Sequence, residues 1–379
     1  MDIRTRIAAV LFSLTLLHSL ASASETIVAT GTQEVVTALL WTQLPINLNV
    51  KNGSQSLALC VCDIRFDGSI SATTGLAIAI AYPQDASPNR SVLGPAEVGK
   101  SVDSIADAAL TRATTVPWLI AMRLQLKVSG THVIWSVYNH EIVKRVRQGD
   151  APSAQVMQTI AAPNFQIKSV QLESLKLQVS DKVALPVNLR IQFGGASLAL
   201  SGAVSPAVPI LTAPSTDLEG TSSRTQVSID LLNGISKSAY QSDTVDLDAG
   251  STKVKLNQFQ FQTSGDSLFI SARVQSAKPA CEIRVRTTWT GSDLMLDDVQ
   301  LEDTPSLRTG ACALEKGKWG LVAASLKSLY HNLPLRPTRL QTINTVVGGQ
   351  QVKVLVMVKR ASVKQSTVVF VGDVWLGSS

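Results

Sequence analysis

The chain has 379 residues, a formal charge of +6 and only 5% aromatic residues. So mild a basic excess, without the stacking aromatics that readers of bases and single strands add to a cationic stripe, excludes nucleic acid as the expected partner. A weak attraction to anionic envelope surfaces fits the charge better.

Taken in chain order, the first signal is "MDIRTRIAAVLFSLTLLHSLASASET": Arg4 and Arg6, an apolar stretch from Ile7 to Leu20, and the small-residue pattern Ala21-Ser22-Ala23. This reads as a secretory signal peptide over residues 1–23. The apolar stretch is too short for a membrane anchor and is interrupted by Ser13, Thr15 and His18. Cleavage leaves 379 − 23 = 356 residues, enough for two domains at about 100–200 residues each. No later run of about 18 apolar residues is present, so the expectation is an exported, periplasmic or secreted chain with no transmembrane segment after signal cleavage.

Val36, Leu40 and Leu44, with Val35 and Leu39, mark an amphipathic helix stopped by Pro45. The following stretch, "LPINLNVKNGSQSLAL" (44–59), has a near-copy in "LPVNLRIQFGGASLAL" (185–200), identical at nine of sixteen positions. Each reads as a hairpin of strand, glycine turn and strand; "NTVVGGQQVKV" (344–354) is a fainter third version, and the expectation is a sheet unit built more than once. Cys60 and Cys62 share one face of a strand, a poor placement for a mutual bond, and are expected buried and free. Residues 82–101 read as a long surface loop. Val102, Ile105, Ala106 and Ala109 mark a weaker helix.

His140-Glu141 is the nearest thing to an acid–base pair, but neighbours on a strand point opposite ways. Lys144-Arg145-Val146-Arg147 reads as a wet basic surface. The run Phe165–Val179 changes parity twice, the mark of bulged strands. "SPAVPILTAPSTDLEGTSSR" (205–224) has the composition of an inter-domain linker.

Beyond it, Val227, Leu231, Leu232 and Ile235 suggest a further helix. "DTVDLDAG" carries Asp243, Asp246 and Asp248 but lacks the glycine position and closing Glu of a calcium loop, so a solvated turn is expected. Val254 and Leu256 change parity with Phe259 and Phe261, placing a bulge at Asn257-Gln258. Leu268, Ile270, Ala272 and Val274 follow the turn "SGDS", and Cys281, Ile283 and Val285 alternate with charges. Asp297-Asp298 and Glu302-Asp303 could pair as in a glycosidase, but the aromatic platforms of a sugar site are missing. Cys281 and Cys312 flank a compact β unit that a disulfide between them would close. Val322, Leu326, Leu329, Tyr330 and Leu333 form the clearest helical stripe, stopped by Pro334, and "VKVLVMVK" (352–359) is apolar on both parities, a strand shielded on both faces.

The fold class implied is α+β, mostly antiparallel β. Two tandem domains (24–204 and 225–379) are expected, joined by the linker 205–224, each a curved sheet wrapped on one or two amphipathic helices. No G-x-S-x-G elbow, H-E-x-x-H or phosphate-cradling glycine loop is present, and neither enzyme nor cofactor is expected.

The segments "VSIDLLNGISKSAY", "STKVKLNQFQFQTSGDSLFISARV", "DLMLDDVQLE" and "KWGLVAASLKSLYHNLPL" give the order helix, long bulged strands, helix, final strands. In this order the C-terminal domain resembles the tubular lipid-binding superfamily, especially its small exported bacterial members. The resemblance implies an apolar tunnel between helix and sheet, with Val322, Leu326, Leu329, Leu333, Val354 and Val356 facing a lipid or other hydrophobic ligand. The function expected from it is non-enzymatic ligand binding in the cell envelope. The alternative is a structural or interaction protein that offers sheet edges and loops to an envelope protein partner, with no small-molecule ligand. From the small bacterial members this chain is expected to depart in having two domains and no lipid anchor.

Overall fold

In the computed structural model of the chain, the described residues are 26–86, 91–171, 175–178, 184–203, 218, 220–233, 245–249, 252–274, 281–290, 295–301, 341–364 and 366–378. The residues proposed as signal peptide lie outside them. Strand alternation dominates, and the fold is α+β, mostly antiparallel β.

After a short strand β1 (Thr26–Gly31), the stripe read from the sequence winds into α1 (Gln33–Trp41), which buries Val35, Val36 and Leu40. A six-stranded antiparallel meander follows: β2 (Ile46–Asn52), β3 (Gln55–Ser71), β4 (Thr74–Pro83), β5 (Trp118–Ser129), β6 (His132–Val146) and β7 (Gln166–Gln171). The sheet curls until β2 and β7, its two edges, come within 8 Å Cα to Cα. Bulges supply the curvature: β3 shifts register against β4 at Val61/Asp63, Phe66/Gly68 and Ser69/Ser71, and β5 against β6 at Met122/Leu124.

Both faces of this sheet are covered, which is why β4 and β5 read as nearly continuous apolar runs. On one face Ala77, Ala79, Ala81, Ile120 and Met122 join a core that includes Val36 and Leu40 of α1. On the other, Ile78, Ile80, Tyr82 and Leu119 pack against α2 (Val102–Arg112), whose Ser101 N-cap accepts a hydrogen bond from the Ser104 backbone N–H. The sequence reading of 82–101 as a surface loop is corrected here: Val92, Leu93 and Glu97 are buried, and the segment closes that second core. A third helix, α3 (Ala154–Ile160), was not anticipated, because seven residues carry too short a stripe to register as periodic.

The 185–200 stretch is a hairpin of β9 (Ala184–Gly194) and β10 (Ser197–Ala203), after a short β8 (Leu175–Gln178). Like the hairpin of β2 and β3, it turns through two residues that begin with a glycine in the left-handed region, Gly53 (φ 60°) and Gly195 (φ 56°). The third stretch is also a hairpin, β17 (Gln341–Val347) and β18 (Gln350–Lys364).

Between these come β11 (Ser223–Ser228), β12 (Val245–Ala249), β13 (Thr252–Ser264), β14 (Ser267–Val274), β15 (Cys281–Thr290) and β16 (Met295–Leu301); β19 (Thr367–Ser378) ends the chain. Strands β12 to β16 form a five-stranded antiparallel sheet, with the bulge of β13 between Asn257 and Gln260, as the parity change implied. Two sequence expectations are corrected in this part. Val227 lies in β11 opposite Ile27 and Val368, and helical structure starts at 229; Ile235 lies outside the described residues. Within the "DTVDLDAG" stretch the described residues Val245–Ala249 form β12 rather than a turn, with Asp246 and Asp248 in register with Lys255 and Lys253; Asp243 lies outside the described residues.

The third sheet joins the two halves of the chain. Its eight strands run β17-β18-β19-β11-β1-β10-β9-β8, with β1 between β10 on one side and β11 on the other. Each half therefore has a sheet of its own, and the halves also contribute four strands apiece to a common one. Of the linker expected over 205–224, residues 205–217 and 219 lie outside the described residues, and Ser223 and Arg224 begin β11 inside the shared sheet.

Candidate ligand-facing sheet

The residues expected to face a ligand fall into two groups. Val322, Leu326, Leu329 and Leu333 lie outside the described residues. Val354 and Val356 are on β18, 3% and 2% exposed, in a valine cluster with Val352, Val374 and Val35 of α1. One face of β18 is thus closed by a helix from the beginning of the chain. Gln43, just past α1, ties the same hairpin down through its Nε2, which donates to the Val347 carbonyl at 2.8 Å, while its backbone carbonyl accepts from Lys168 Nζ of β7 at 2.9 Å.

The opposite parity of β18 points away from α1. Leu355 and Met357 are half-buried there; Trp375, opposite Leu355 on β19, is 46% exposed, and Val346 is 37% exposed. Sequence reasoning missed Trp375, although a signal was present. In "GDVWLG" Asp373, Trp375 and Gly377 share one parity, and polar companions mark an outward face.

Charged groups cluster around α2 and the strands of the meander beside it. Arg123 of β5, 11% exposed, pairs with Asp67, donates from Nε to Glu141 at 2.8 Å and from Nη2 to the Lys100 carbonyl at 2.6 Å. Arg112 pairs with Glu97 at 2.6 Å; burial acts to raise the Glu97 pKa, and the hydrogen bonds from Arg112 and the Gly94 N–H, with the charges of Arg112 and Lys100, together outweigh it and hold the carboxyl below its usual range. The basic run 144–147 is engaged throughout. Lys144 donates to the Pro152 carbonyl, Arg145 pairs with Asp103 and Asp107, and Arg147 donates to the carbonyls of Leu110, Ala113 and Thr114 at the end of α2. His140 sits with Asn139 at positive φ in a bulge of β6, its Nδ1 2.7 Å from the Ala161 carbonyl. These ion pairs and hydrogen bonds clamp loops and a helix onto the sheet. Among the described residues no group of three or more His, Cys, Asp or Glu side chains is placed to hold a metal ion.

The cysteines correct another expectation: Cys60 and Cys62 form a disulfide. Residues two apart in a regular strand are about 6.6 Å apart, near the upper limit for a disulfide. The bulge at Val61/Asp63 leaves Cys62 unpaired and shortens the Cα–Cα distance to 5.3 Å. Peptide mapping under non-reducing conditions should return Cys60 and Cys62 in one peptide two mass units lighter than its reduced form (roughly, two hydrogens lost per bond). An unmodified pair of thiols would contradict the bond. Cys281 lies on β15 opposite Val274, and Cys312 lies outside the described residues.

No protein-family model matches the chain, and no curated protein does. Among solved structures it is similar to P47 from Clostridium botulinum A2, at 10% identity and a TM-score of 0.34, over 93% of this chain and 97% of that one. It is also similar to P47 of Clostridium botulinum E1, at 10% identity and a TM-score of 0.33, over 92% and 99%. No described helix is long and apolar enough to cross a membrane.

Proposed function

We propose that the chain is an exported, non-enzymatic binding protein for a lipid or other hydrophobic ligand. The observation that carries this reading is the apolar character of β18 on both parities: Val352, Val354 and Val356 are buried against α1, while Leu355 and Met357 face away from it beside an exposed tryptophan. A strand of an ordinary two-layer protein would place polar residues at those outward positions. The apolar stripe Val322, Leu326, Leu329 and Leu333, which follows in the sequence before β17, is the partner expected from the resemblance to tubular lipid-binding proteins.

The test is mass spectrometry of organic extracts from the purified protein. An acyl lipid is expected in stoichiometric amount, and Leu329→Trp is expected to lower that amount in a protein that still folds. A parent protein free of any hydrophobic small molecule, purified from a lipid-containing host, would overturn the reading and leave the interaction protein in its place.

A further inference from the structure

We infer that the Cys60–Cys62 disulfide is a redox-sensitive latch, whose reduction by a dithiol releases the segment 91–98 from the second core. The bond sits where β3 changes faces. Before it, Leu59 and Val61 point into the core shared with α1; after it, Ile64 and Phe66 do. Odd positions give way to even ones, and the extra residue at Cys62 makes the change possible. Without that residue Asp63 would keep the parity of Leu59 and Val61 and turn its carboxylate into their apolar core. With it, Asp63 stands opposite Ile80 and Cys60 opposite Tyr82, on the face that α2 covers.

That placement decides what holds the segment. The backbone N–H groups of Val92 and Leu93 and the Ser91 hydroxyl all donate to the Asp63 carboxylate. From α2, Arg112 Nη1 donates to the Val92 carbonyl at 2.6 Å. Three bonds to β3 thus converge on one side chain, and its backbone follows directly on the crosslinked bulge. The closed arrangement also leaves a group unsatisfied: Tyr82 is 0% exposed, and its hydroxyl has no hydrogen-bond partner among the described residues. Opening of the segment would hydrate that hydroxyl, which favours release once the latch is loosened.

Cys62 is half-buried and Cys60 is 4% exposed, so Cys62 is the more open of the pair. One thiolate of the dithiol attacks Cys62 Sγ, and Cys60 leaves as a thiolate that takes up a proton. The second thiol then closes on the first and displaces Cys62, which is protonated in turn. Two electrons and two protons pass to the protein, and the dithiol becomes a disulfide. Freed of the crosslink, the two Cα atoms can separate from 5.3 Å toward the spacing of about 6.6 Å in a regular strand. The apolar pattern still demands a bulge between Val61 and Ile64, so the fold persists while Asp63 loses its fixed position. The latch does not depend on any ligand at β18.

The experiment is amide hydrogen exchange on the full chain, oxidised and after incubation with dithiothreitol. Val92 and Leu93 should exchange at least about ten-fold faster in the reduced protein, while the amides of β4 and β5 keep their protection. Reoxidation should restore the slower rate. A double variant, Cys60→Ala with Cys62→Ala, should exchange at the reduced rate whether or not dithiothreitol is present; should it not fold, the parent in its two redox states decides the question alone. A bond that resists excess dithiothreitol in the folded protein, or equal exchange in both redox states, would overturn the latch. So would a rise of the same size across β4 and β5, which would make the bond an ordinary structural crosslink.

Discussion

Replacing Gly372 by Ala should unfold or severely destabilise the protein, at a cost of at least about 3 kcal/mol, the upper end for an added methyl in a packed interior. Gly372 lies on β19, hydrogen-bonded between β18 and β11, opposite Val358 and Ser223. Just there β18 bulges between Val358 and Arg360 and brings its backbone down onto the glycine. A Cβ at this position would stand 2.9 Å from Val358 Cα and 3.0 Å from the Met357 carbonyl carbon. Both are main-chain atoms in the centre of the shared sheet, so no side-chain rotation relieves the clash; the bulge itself would have to move. Gly377→Ala, five residues on in the same strand and facing open space, is the matched control and should be neutral within about 0.5 kcal/mol. Denaturant titration of the two variants reads the difference. Equal stabilities would show that the bulge at Val358 yields easily.

Local signals were legible and distant ones were not. Hairpins announced themselves because alternation and a turn glycine sit within a dozen residues of each other, as at Gly53 and Gly195. The bulge near Gln258 was legible as a parity change within one strand. The shared sheet was not, because β1 is only six residues long and its partners Ala203 and Val227 lie far along the chain. Val227 misled for a different reason. Val227 and Leu231 are four apart, a spacing that fits both a strand face and a helix stripe, and only pairing with Ile27 and Val368 decides between them. Likewise, Val354 and Val356 were readable as a shielded strand, but nothing near them in sequence names Val35 as the residue that covers them. The disulfide depended on a register shift against β4, which a strand pattern read alone cannot supply.

Asp63→Ala is expected to cost about 2–6 kcal/mol, because it strands two buried backbone N–H groups at roughly 1–3 kcal/mol each. Asp63 is 1% exposed, directly after the bulged Cys62, and its carboxylate holds the segment that seals the second core. Its Oδ2 accepts from the backbone N–H of Val92 at 2.6 Å and of Leu93 at 3.0 Å, and Ser91 Oγ donates to Oδ1 at 2.9 Å. Burial raises the Asp63 pKa above its ordinary 3.8, and the bonds from Val92, Ser91 and Leu93 only partly offset this. The sign follows from linkage: between the ordinary value and the raised folded one, the folded state binds the proton that the unfolded state has released. The stability contributed by this residue therefore falls as pH rises through that window, the reverse of a salt-bridged carboxylate. Asp63→Asn keeps one acceptor oxygen for Val92 and Leu93, lets Ser91 Oγ turn to accept from the new amide, and carries no charge to bury. It should cost far less than Asp63→Ala and should remove this pH dependence. Chemical denaturation between about pH 4 and pH 8 checks both claims. An Ala variant within about 1 kcal/mol of the parent would mean that Val92 and Leu93 are held by their own apolar burial, and an Asn variant with the parent's pH slope would place the titrating group elsewhere.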